Sequence, residues 1–367
     1  MDFRLSDEQT MLKESVDRFV AQKSGFEQVR AAAAGPEGFA RADWQTFAEL
    51  GWLMLMIPED LGGLGGVTAD AALLAESFGR GLVGAPFVST AVLCAGLLAR
   101  ADRPRDQQPL LDAIGGGEAI VALATEESSS RYGLDAIAAQ AKPVDSGFTL
   151  SGEKIVVPDG AAAGHFLVSA KLAGTIGLFL VAADAPGLTV RRYRTVDNRR
   201  AADLLMADTP ASLMIADALA PLERAVDEAA LLLVAEALGC MDAAMSITAE
   251  YLKTREQFGR TLSKFQVLTH RVADMFVRAE TTRSMLLRGL SALDAGPEIR
   301  AAAVSAAMVT AIDAGEFVCG QAIQLHGGIG MAEENAVGHY YKRIRVIGRT
   351  WGDRASHARR HVDLTQA

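Results

Sequence analysis

Two long amphipathic helices joined by a polar turn constrain the fold of this chain more than any other feature of its sequence. The apolar stripe of the first helix consists of Leu231, Val234, Leu238, Met241, Met245, Thr248 and Leu252. The stripe of the second helix consists of Phe265, Leu268, Val272, Met275, Ala279, Leu286 and Leu293. Steps of three and four residues place each set on one helix face, and the turn between them contains Phe258, Gly259 and Arg260. The pattern predicts two antiparallel helices packed against further helices.

The order of patterns along the chain predicts three segments. Helical periodicity fills residues 1–117, short apolar or alternating runs fill 118–221, and helical periodicity returns over 222–367. The runs in the middle segment are 119–124, 148–150, 154–157, 166–169, 176–181 and 188–193. We therefore predict a mainly α-helical protein with a central β domain.

Local signals place the first helices. Ser6 and Gln9 have the spacing of a capping box, which predicts a helix start. Asp43 can cap another helix, with Trp44, Phe47 and Leu50 facing inward and Gly51 ending it.

A glycine-rich segment, IPEDLGGLGG at 57–66, invites comparison with phosphate-binding loops. It lacks the strand that precedes such loops and the Lys-Ser/Thr pair that follows them. We interpret it as a connector.

Composition excludes some classes of function. A length of 367 residues, half of them hydrophobic, predicts two or three sub-structures. The net charge of −9 argues against nucleic acid as a partner. Apolar runs are too short for a membrane span, since the longest, at 82–98, is interrupted by Pro86. The N-terminus lacks a signal-peptide pattern, so we expect a cytoplasmic protein without a membrane partner.

The cysteines predict reduced thiols in the core. Cys94, Cys240 and Cys319 are odd in number, scattered, and each lies in an apolar helical context. The histidines show no metal-ligand spacing, so we expect no metal site.

Two motifs resemble those of the acyl-CoA dehydrogenase family, flavoenzymes that desaturate acyl-CoA thioesters. The segment TREQFG at 254–259, followed by Phe265-Gln266, resembles the family's signature, and QLHGGIG at 324–330 resembles its second motif at the separation that the family shows. Each motif alone has a plainer explanation. A cation in a last helical turn is favourable against the helix dipole, and a glycine pair often ends a helix.

The resemblance implies a fold and a cofactor. The fold would be an N-terminal helical domain, a small β-barrel or sandwich, and a C-terminal four-helix bundle. The cofactor would be FAD, with its pyrophosphate between two subunits. One subunit would supply the signature residues Arg255, Gln257, Phe258 and Gln266, and its neighbour would supply the glycine-loop residues Gln324, Gly327 and Gly328.

The middle segment would meet the flavin ring. By resemblance, Thr125 in ALATEE at 122–127 would hydrogen-bond the isoalloxazine, and Val157 in GEKIVVP at 152–158 would lie on the other flavin-facing strand. Without the resemblance, a threonine in a strand is ordinary β-branched sequence. The loop after Glu127 departs from the family pattern.

The catalytic base of the family is missing at both of its usual positions. Aligning the C-terminal segments places Trp351 where the family has its glutamate, and Ala229 occupies the alternative position. The nearest carboxylates, Asp353 and Glu228, are one or two positions away and would be displaced from a substrate proton. They are the candidate bases, although each could equally be an ordinary helix carboxylate.

The N-terminal run MDFRLSDEQTMLKESVDRF at 1–19, the segment GHYYKRIRVIGRTWGD at 338–353 and the missing base together resemble the small subunits of heteromeric family members, such as those acting on pimeloyl-CoA. The resemblance implies an acyl-CoA substrate, an electron-transfer flavoprotein as acceptor, and a large dehydrogenase subunit or a second copy as partner. An architectural subunit that completes a partner's FAD site is the main alternative. A flavin-dependent oxidase or a repurposed acyl-CoA binder is a further one.

Overall fold

The computed structural model describes residues 4–145 and 147–366. Its α-helices are α1 (Asp7–Lys23), α2 (Phe26–Ala34), α3 (Arg41–Glu49), α4 (Thr68–Arg80), α5 (Ala95–Ala99), α6 (Gln108–Gly115), α7 (Leu219–Thr254), α8 (Gln266–Ser291), α9 (Pro297–His326), α10 (Ala336–Ile347) and α11 (Arg354–Thr365). A π-helix spans Phe87–Cys94, and 3₁₀ turns span Trp52–Met54, Glu59–Leu61, Pro104–Gln107, Leu262–Lys264 and Gly327–Met331.

The strands are β1 (Val121–Ala124), β2 (Gln140–Val144), β3 (Gly147–Pro158), β4 (His165–Leu172), β5 (Thr175–Ala182), β6 (Leu188–Arg194), β7 (Arg200–Ile215), β8 (Glu256–Gln257) and β9 (Arg260–Thr261). Helices, strands and helices follow one another as the sequence predicts, and the predicted fold class is confirmed. The chain divides into two compact units, one made of the chain up to Ala31, Ala72–Val83 and everything from Ala230, the other of Ala32–Ala71 and Gly84–Ala229.

The strands of the second unit form a nearly closed ring. Antiparallel pairing runs from β2 to β3, β7, β5 and β4, and a single parallel pair, Gln140 with Lys171, joins β4 back to β2. β1 adds to β4 in parallel, and β6 adds to β7. β3 is interrupted by a β-bulge between Lys154 and Val157, which bends the strand and changes the direction of its side chains.

The helices of the first unit bury the predicted stripes. α8 packs against α9, and α9 also contacts α10 and α11. All stripe residues of α7 are buried except Met245, which is half-buried, and on α8 the stripe is buried from Met275 to Leu286. Burying each large apolar side chain stabilises the folded chain by about 1.5–3 kcal/mol.

α4 and α7 approach each other through glycines. A Cβ on Gly79 would lie 2.0 Å from the carbonyl oxygen of Glu236, and one on Gly239 would lie 1.8 Å from that of Glu76. The Cys240 thiol donates to the Gly79 carbonyl oxygen at 3.3 Å. Glycine is therefore required on both helices, because any Cβ would overlap the opposite backbone.

Two helices are longer and more apolar than the sequence analysis allowed. α7, and α9 with the turn that follows it, have length and composition sufficient to span a membrane, but 78% and 67% of their apolar windows are buried within the protein. The prediction that apolar runs are too short was therefore wrong. The burial shows that the apolar surface of these helices is used in packing.

The local signals in the N-terminal segment were partly right. The Ser6–Gln9 capping box forms as predicted. Asp43 is not a cap, because α3 begins two residues earlier with Ala40 as its N-cap. Leu50 is 46% exposed rather than buried, although Gly51 does follow the helix in the left-handed conformation.

The glycine-rich connector folds on itself. The backbone N–H groups of Gly63, Gly65 and Gly66 donate to the carbonyl oxygens of Pro58, Ile57 and Leu55. These donors are used inside the loop, which supports its interpretation as a connector.

Candidate functional site

The signature segment after α7 forms a two-residue hairpin. β8 and β9 pair with Gln257 opposite Arg260, so Phe258 and Gly259 are the two turn residues. Their φ angles are 54° and 76°, which is the left-handed pattern of a type I′ turn. Phe258 is 88% exposed, so a large apolar ring is held in solvent at a cost of about 1–2 kcal/mol in backbone strain.

The cations of this hairpin differ in their partners. The Arg260 guanidinium lies over the Phe265 ring, 4.1 Å from its centroid, and the Phe258 ring meets Phe265 edge to face at 6.2 Å. Arg255 is exposed, and its side chain forms no hydrogen bond or ion pair with any residue in the described part of the chain. Arg255 is therefore the cation of the hairpin that remains available to an anionic group.

The glycine loop follows directly on α9. Gly327 has φ 62° and caps the helix with a hydrogen bond from its N–H to the Gln324 carbonyl oxygen. A Cβ built on Gly327 or Gly328 would meet no atom within 4 Å, and Gln324 is exposed. The pair is thus a helix end, as the plainer interpretation holds, and it also presents unobstructed backbone to solvent.

Hairpin and glycine loop lie at the same end of one helix bundle. The Tyr251 ring, one turn before Arg255, stacks on His326 with centroids 4.4 Å apart and planes at 20°. Arg271 near the start of α8 donates to Gln321 near the end of α9 at 2.7 Å. These contacts bring the ends of α7, α8 and α9 together within one chain. The assignment of the two motifs to neighbouring subunits concerns the assembly, and it stays a prediction.

In the strand unit, Thr125 and Val157 differ in what they offer. Thr125 follows β1 and is 4% exposed, and its hydroxyl makes no hydrogen bond to any residue that the structure describes. The Val157 side chain is buried at 1% exposure, so only its backbone could meet a ligand. The exposed apolar side chain of this strand is Val156, with φ 50° in the bulge and its N–H bonded to Asp203 Oδ1 at 2.9 Å. The sequence analysis chose Val157 rather than Val156 as the site residue, because the bulge reverses the strand alternation.

A buried ion pair between Lys154 and Glu127 contacts the backbone of Thr125. Lys154 Nζ, on fully buried Lys154, donates to Glu127 Oε1 at 2.7 Å, to the Ser169 hydroxyl at 3.1 Å and to the Thr125 carbonyl oxygen at 3.2 Å. All three ammonium protons therefore have acceptors. Sequence analysis missed this pair too. The sequence signal for this pair is a lysine at an inward-facing position of one strand together with an acidic residue just after the end of another strand.

Glu127 accepts further hydrogen bonds from the backbone. The N–H groups of Ala138 and Ala139 donate to its two oxygens at 2.6 and 3.0 Å. Burial by itself raises the pKa of Glu127, but the hydrogen bond and charge of Lys154 outweigh it and hold that pKa below its usual range. Burial lowers the pKa of Lys154 to about 8, despite the opposing effect of Glu127.

Trp351 and Ala229 are the two positions that the sequence analysis aligned with the family's base. Trp351 has φ 54° and precedes Gly352 at φ 145°. The next residue, Asp353, is the N-cap of α11, and its carboxylate accepts from the Ser356 N–H at 2.8 Å. A helix cap accounts for Asp353 without a catalytic role.

The second candidate base is held in an ion pair. Ala229 on α7 is fully buried, and the adjacent Glu228 is 4% exposed. The Glu228 carboxylate accepts from Arg100 at 3.0 and 3.1 Å and from Arg224 at 2.6 Å. Two guanidinium groups thus hold this carboxylate in an ion pair, which accounts for Glu228 without a catalytic role.

Together these features define a class of protein. Helices, a ring of strands and further helices follow one another along the chain, and the end of the helix bundle offers a cation and open glycine backbone to an anionic group. The chain belongs to the acyl-CoA dehydrogenase family, because the model of its N-terminal domain matches residues 6–118, that of its middle domain 122–208 and that of its C-terminal domain 220–360. Members of the family bind FAD. Membership in the family supports an oxidoreductase that acts on acyl-CoA.

Named relatives cover nearly the whole chain. Acyl-CoA dehydrogenase IpdE2 of Mycobacterium tuberculosis is 32% identical over 339 residues, which are 92% of this chain and 91% of the relative. Acyl-CoA dehydrogenase FadE27 of the same organism is 29% identical, covering 93% and 92%. Benzylmalonyl-CoA dehydrogenase of Aromatoleum aromaticum is 28% identical, covering 94% of each chain.

Solved structures with the same fold include two complexes named by paired chains. A steroid acyl-CoA dehydrogenase variant, Tcur3481-Tcur3483, is 32% identical with a TM-score of 0.88 and 98% coverage of both chains. The ChsE4-ChsE5 complex from Mycobacterium tuberculosis is 26% identical with a TM-score of 0.89, covering 98% of this chain and 97% of the other.

Proposed function

We propose that this chain is the small subunit of a heteromeric FAD-dependent acyl-CoA dehydrogenase that introduces an α,β double bond into an acyl-CoA thioester. The family match supports the reaction. The subunit assignment is supported by the sequence alignment that places Trp351 and Ala229, neither of them a carboxylate, at the family's two base positions. The two solved complexes named by paired chains support an assembly of unlike subunits.

The described residues fit an FAD pyrophosphate. Arg255 would supply the charge, and Gly327 and Gly328 would admit phosphate oxygens to the backbone, because no Cβ intrudes. Gln257, Phe258, Gln266 and Gln324 would add contacts from the same bundle end. FAD supplies the hydride acceptor for the β-carbon of the thioester.

In the strand unit, Thr125 would offer its hydroxyl to the isoalloxazine, and the Val156–Val157 bulge would lie against the ring. Removal of the α-proton requires a carboxylate within hydrogen-bond reach. Asp353 and Glu228 already serve as a helix cap and as an ion-pair partner. We therefore assign the base to the large subunit, and we expect an electron-transfer flavoprotein as acceptor in a cytoplasmic setting.

An architectural subunit is the second candidate function. Both nearby carboxylates have structural partners, which favours a chain that completes a partner's FAD site and turns over no substrate itself. Counting bound FAD and acyl-CoA per heterodimer separates the two. One acyl-CoA site for each chain of this type supports a catalytic subunit, and acyl-CoA bound to the large subunit alone supports the architectural one.

The test is expression with and without a large dehydrogenase subunit. We expect desaturation of acyl-CoA, followed by reduction of an artificial electron acceptor, only in the co-purified complex. A yellow homotetramer of this chain alone that desaturates acyl-CoA would contradict the heteromer. A complex that binds no FAD would contradict the flavoenzyme assignment itself.

A further inference from the structure

The ion pair between Lys154 and Glu127 joins several segments at the end of β1. Lys154 lies on β3 and contacts Ser169 on β4, while Glu127 holds the backbone that leads into β2. A second link, from the Ile155 N–H to the Glu126 carbonyl oxygen at 2.9 Å, fastens the same turn to the β3 bulge. The turn that carries Thr125 is thus fixed from behind.

We propose that Lys154 and Glu127 are positioning residues for the flavin, which act through Thr125. This inference rests on the proposed function and names the residues that orient one of its contacts. The ammonium group of Lys154 bonds the Thr125 carbonyl oxygen, so it fixes the backbone from which the Thr125 side chain projects. The Thr125 hydroxyl itself has no partner among the described residues and remains available to the ring.

Stability alone does not account for a pair of this kind. Withdrawing two charges from water is expensive, and a buried pair often contributes no more to stability than apolar residues of the same size. Here every ammonium proton and both carboxylate oxygens are engaged, so the pair defines one geometry. That geometry fixes the separation of the two strand segments, at Thr125 and at Val156, that would contact the ring.

The experiment is a double-mutant cycle on FAD affinity. Thr125→Val removes the hydroxyl with little change in shape. Lys154→Met together with Glu127→Gln removes both charges, so that neither is left buried alone. Each change should raise the Kd for FAD about tenfold, the equivalent of one lost hydrogen bond. The triple variant should be no weaker than Thr125→Val, because residues that act through one contact are not additive.

The visible spectrum of bound FAD provides a readout that a merely structural role would not change. The charge-removed variant should show the same change in band shape as Thr125→Val. Ser169→Ala is the matched control, since it removes one acceptor of Lys154 and leaves the Thr125 contact in place. Its FAD affinity and spectrum should equal those of the wild type.

The outcomes separate this inference from the proposed function. Additive losses in the triple variant, or unchanged affinity in the charge-removed variant, would overturn the positioning role while leaving a flavoenzyme. A wild-type complex that takes up no FAD would overturn the proposed function and the positioning role together. If thermal unfolding shows that Lys154→Met/Glu127→Gln fails to fold, Glu127→Asp, which shortens the link by one methylene, replaces it in the same cycle.

Discussion

Arg255 is the hairpin cation whose side chain has no partner among the described residues, and replacing it is the simplest test of the proposed cofactor. Replacing it with Ala should weaken FAD binding by about 1.5–3 kcal/mol, because a charge-assisted hydrogen bond to phosphate is lost. The unfolding midpoint of the apoprotein should stay unchanged. The measurement is the visible absorbance retained after purification.

Lys253→Ala is the control for this loss. Lys253 is two residues away and pairs with exposed Glu250 at 2.7 Å, a surface contact that contributes little. The Lys253→Ala protein should keep its flavin. An Arg255→Ala protein with full flavin content would count against the pyrophosphate assignment.

Lys154 predicts a pH dependence of folding. Its pKa is about 8 in the folded chain and 10.5 when unperturbed, so between these values the unfolded chain binds more protons. The contribution of Lys154 to stability should therefore rise with pH through this window and be lost as pH falls toward 8. The buried thiols of Cys94 and Cys319, whose pKa values are raised by burial, act in the opposite sense, but they do so equally in the wild type and the variant. Lys154→Met/Glu127→Gln should lack this rise.

Denaturant unfolding of both proteins between pH 8 and 9.5 measures the difference. This range stays below the ordinary pKa of 10.0 for tyrosine, which matters because the pKa values of Tyr193 and Tyr340 are raised in the folded chain. Parallel curves for the two proteins would show that Lys154 does not titrate there.

Single residues also mark where sequence reasoning ended. The motif residues around Arg255 and Gly327 were identified, because their types and spacing follow a pattern. Val156 was not, since its exposure depends on a bulge that shifts pairing between Lys154 and Val157. A shift of one residue in register moves a side chain to the other face of a sheet.

At the level of elements, the approach of α4 to α7 depends on Gly239. A Cβ there would lie 1.8 Å from the Glu76 carbonyl oxygen, so Gly239→Ala must separate the helices. We expect it to reduce the free energy of unfolding by about 1–3 kcal/mol, the usual cost of overpacking. Chemical denaturation measures the loss.

Gly320→Ala is the matched control on α9. Its Cβ would meet only Tyr341, at 3.8 Å, an ordinary contact. Alanine also favours a helix over glycine by about 1 kcal/mol, so this variant should be as stable as the wild type or more so. Equal destabilisation by both substitutions would refute the close approach as the cause.

Helices were easier to predict than strands. The stripes of α7 and α8 follow from spacing alone, and the strand runs from β3 to β6 were found. β2 and β7 were missed. β2 is largely exposed and has no apolar alternation, and β7 contains Ala, Asp and Pro, which disfavour strands. β7 is held by pairing with β3, β5 and β6, a long-range constraint that local sequence does not carry.

At the scale of the whole molecule, turnover belongs to the assembly in this proposal. Asp353→Asn in the complex with a large subunit should leave kcat unchanged, because Asn caps a helix as well as Asp does and the base lies elsewhere. Steady-state desaturation by the co-purified complex measures this. A loss of several orders of magnitude with unchanged stability would instead identify Asp353 as the base.

The stack of Tyr251 on His326 places the hairpin and the glycine loop at the same end of the bundle, and this has a consequence for oligomers that contain mutated chains. If one chain supplies both the hairpin and the glycine loop to a cofactor, a chain defective in either motif loses that whole binding site. An oligomer of chains mutated in the hairpin and chains mutated in the glycine loop would then contain no intact binding site. If different chains contribute the two motifs, mixed oligomers would contain some sites with an intact hairpin and an intact glycine loop. Activity of oligomers formed from two co-expressed variants therefore distinguishes the two arrangements.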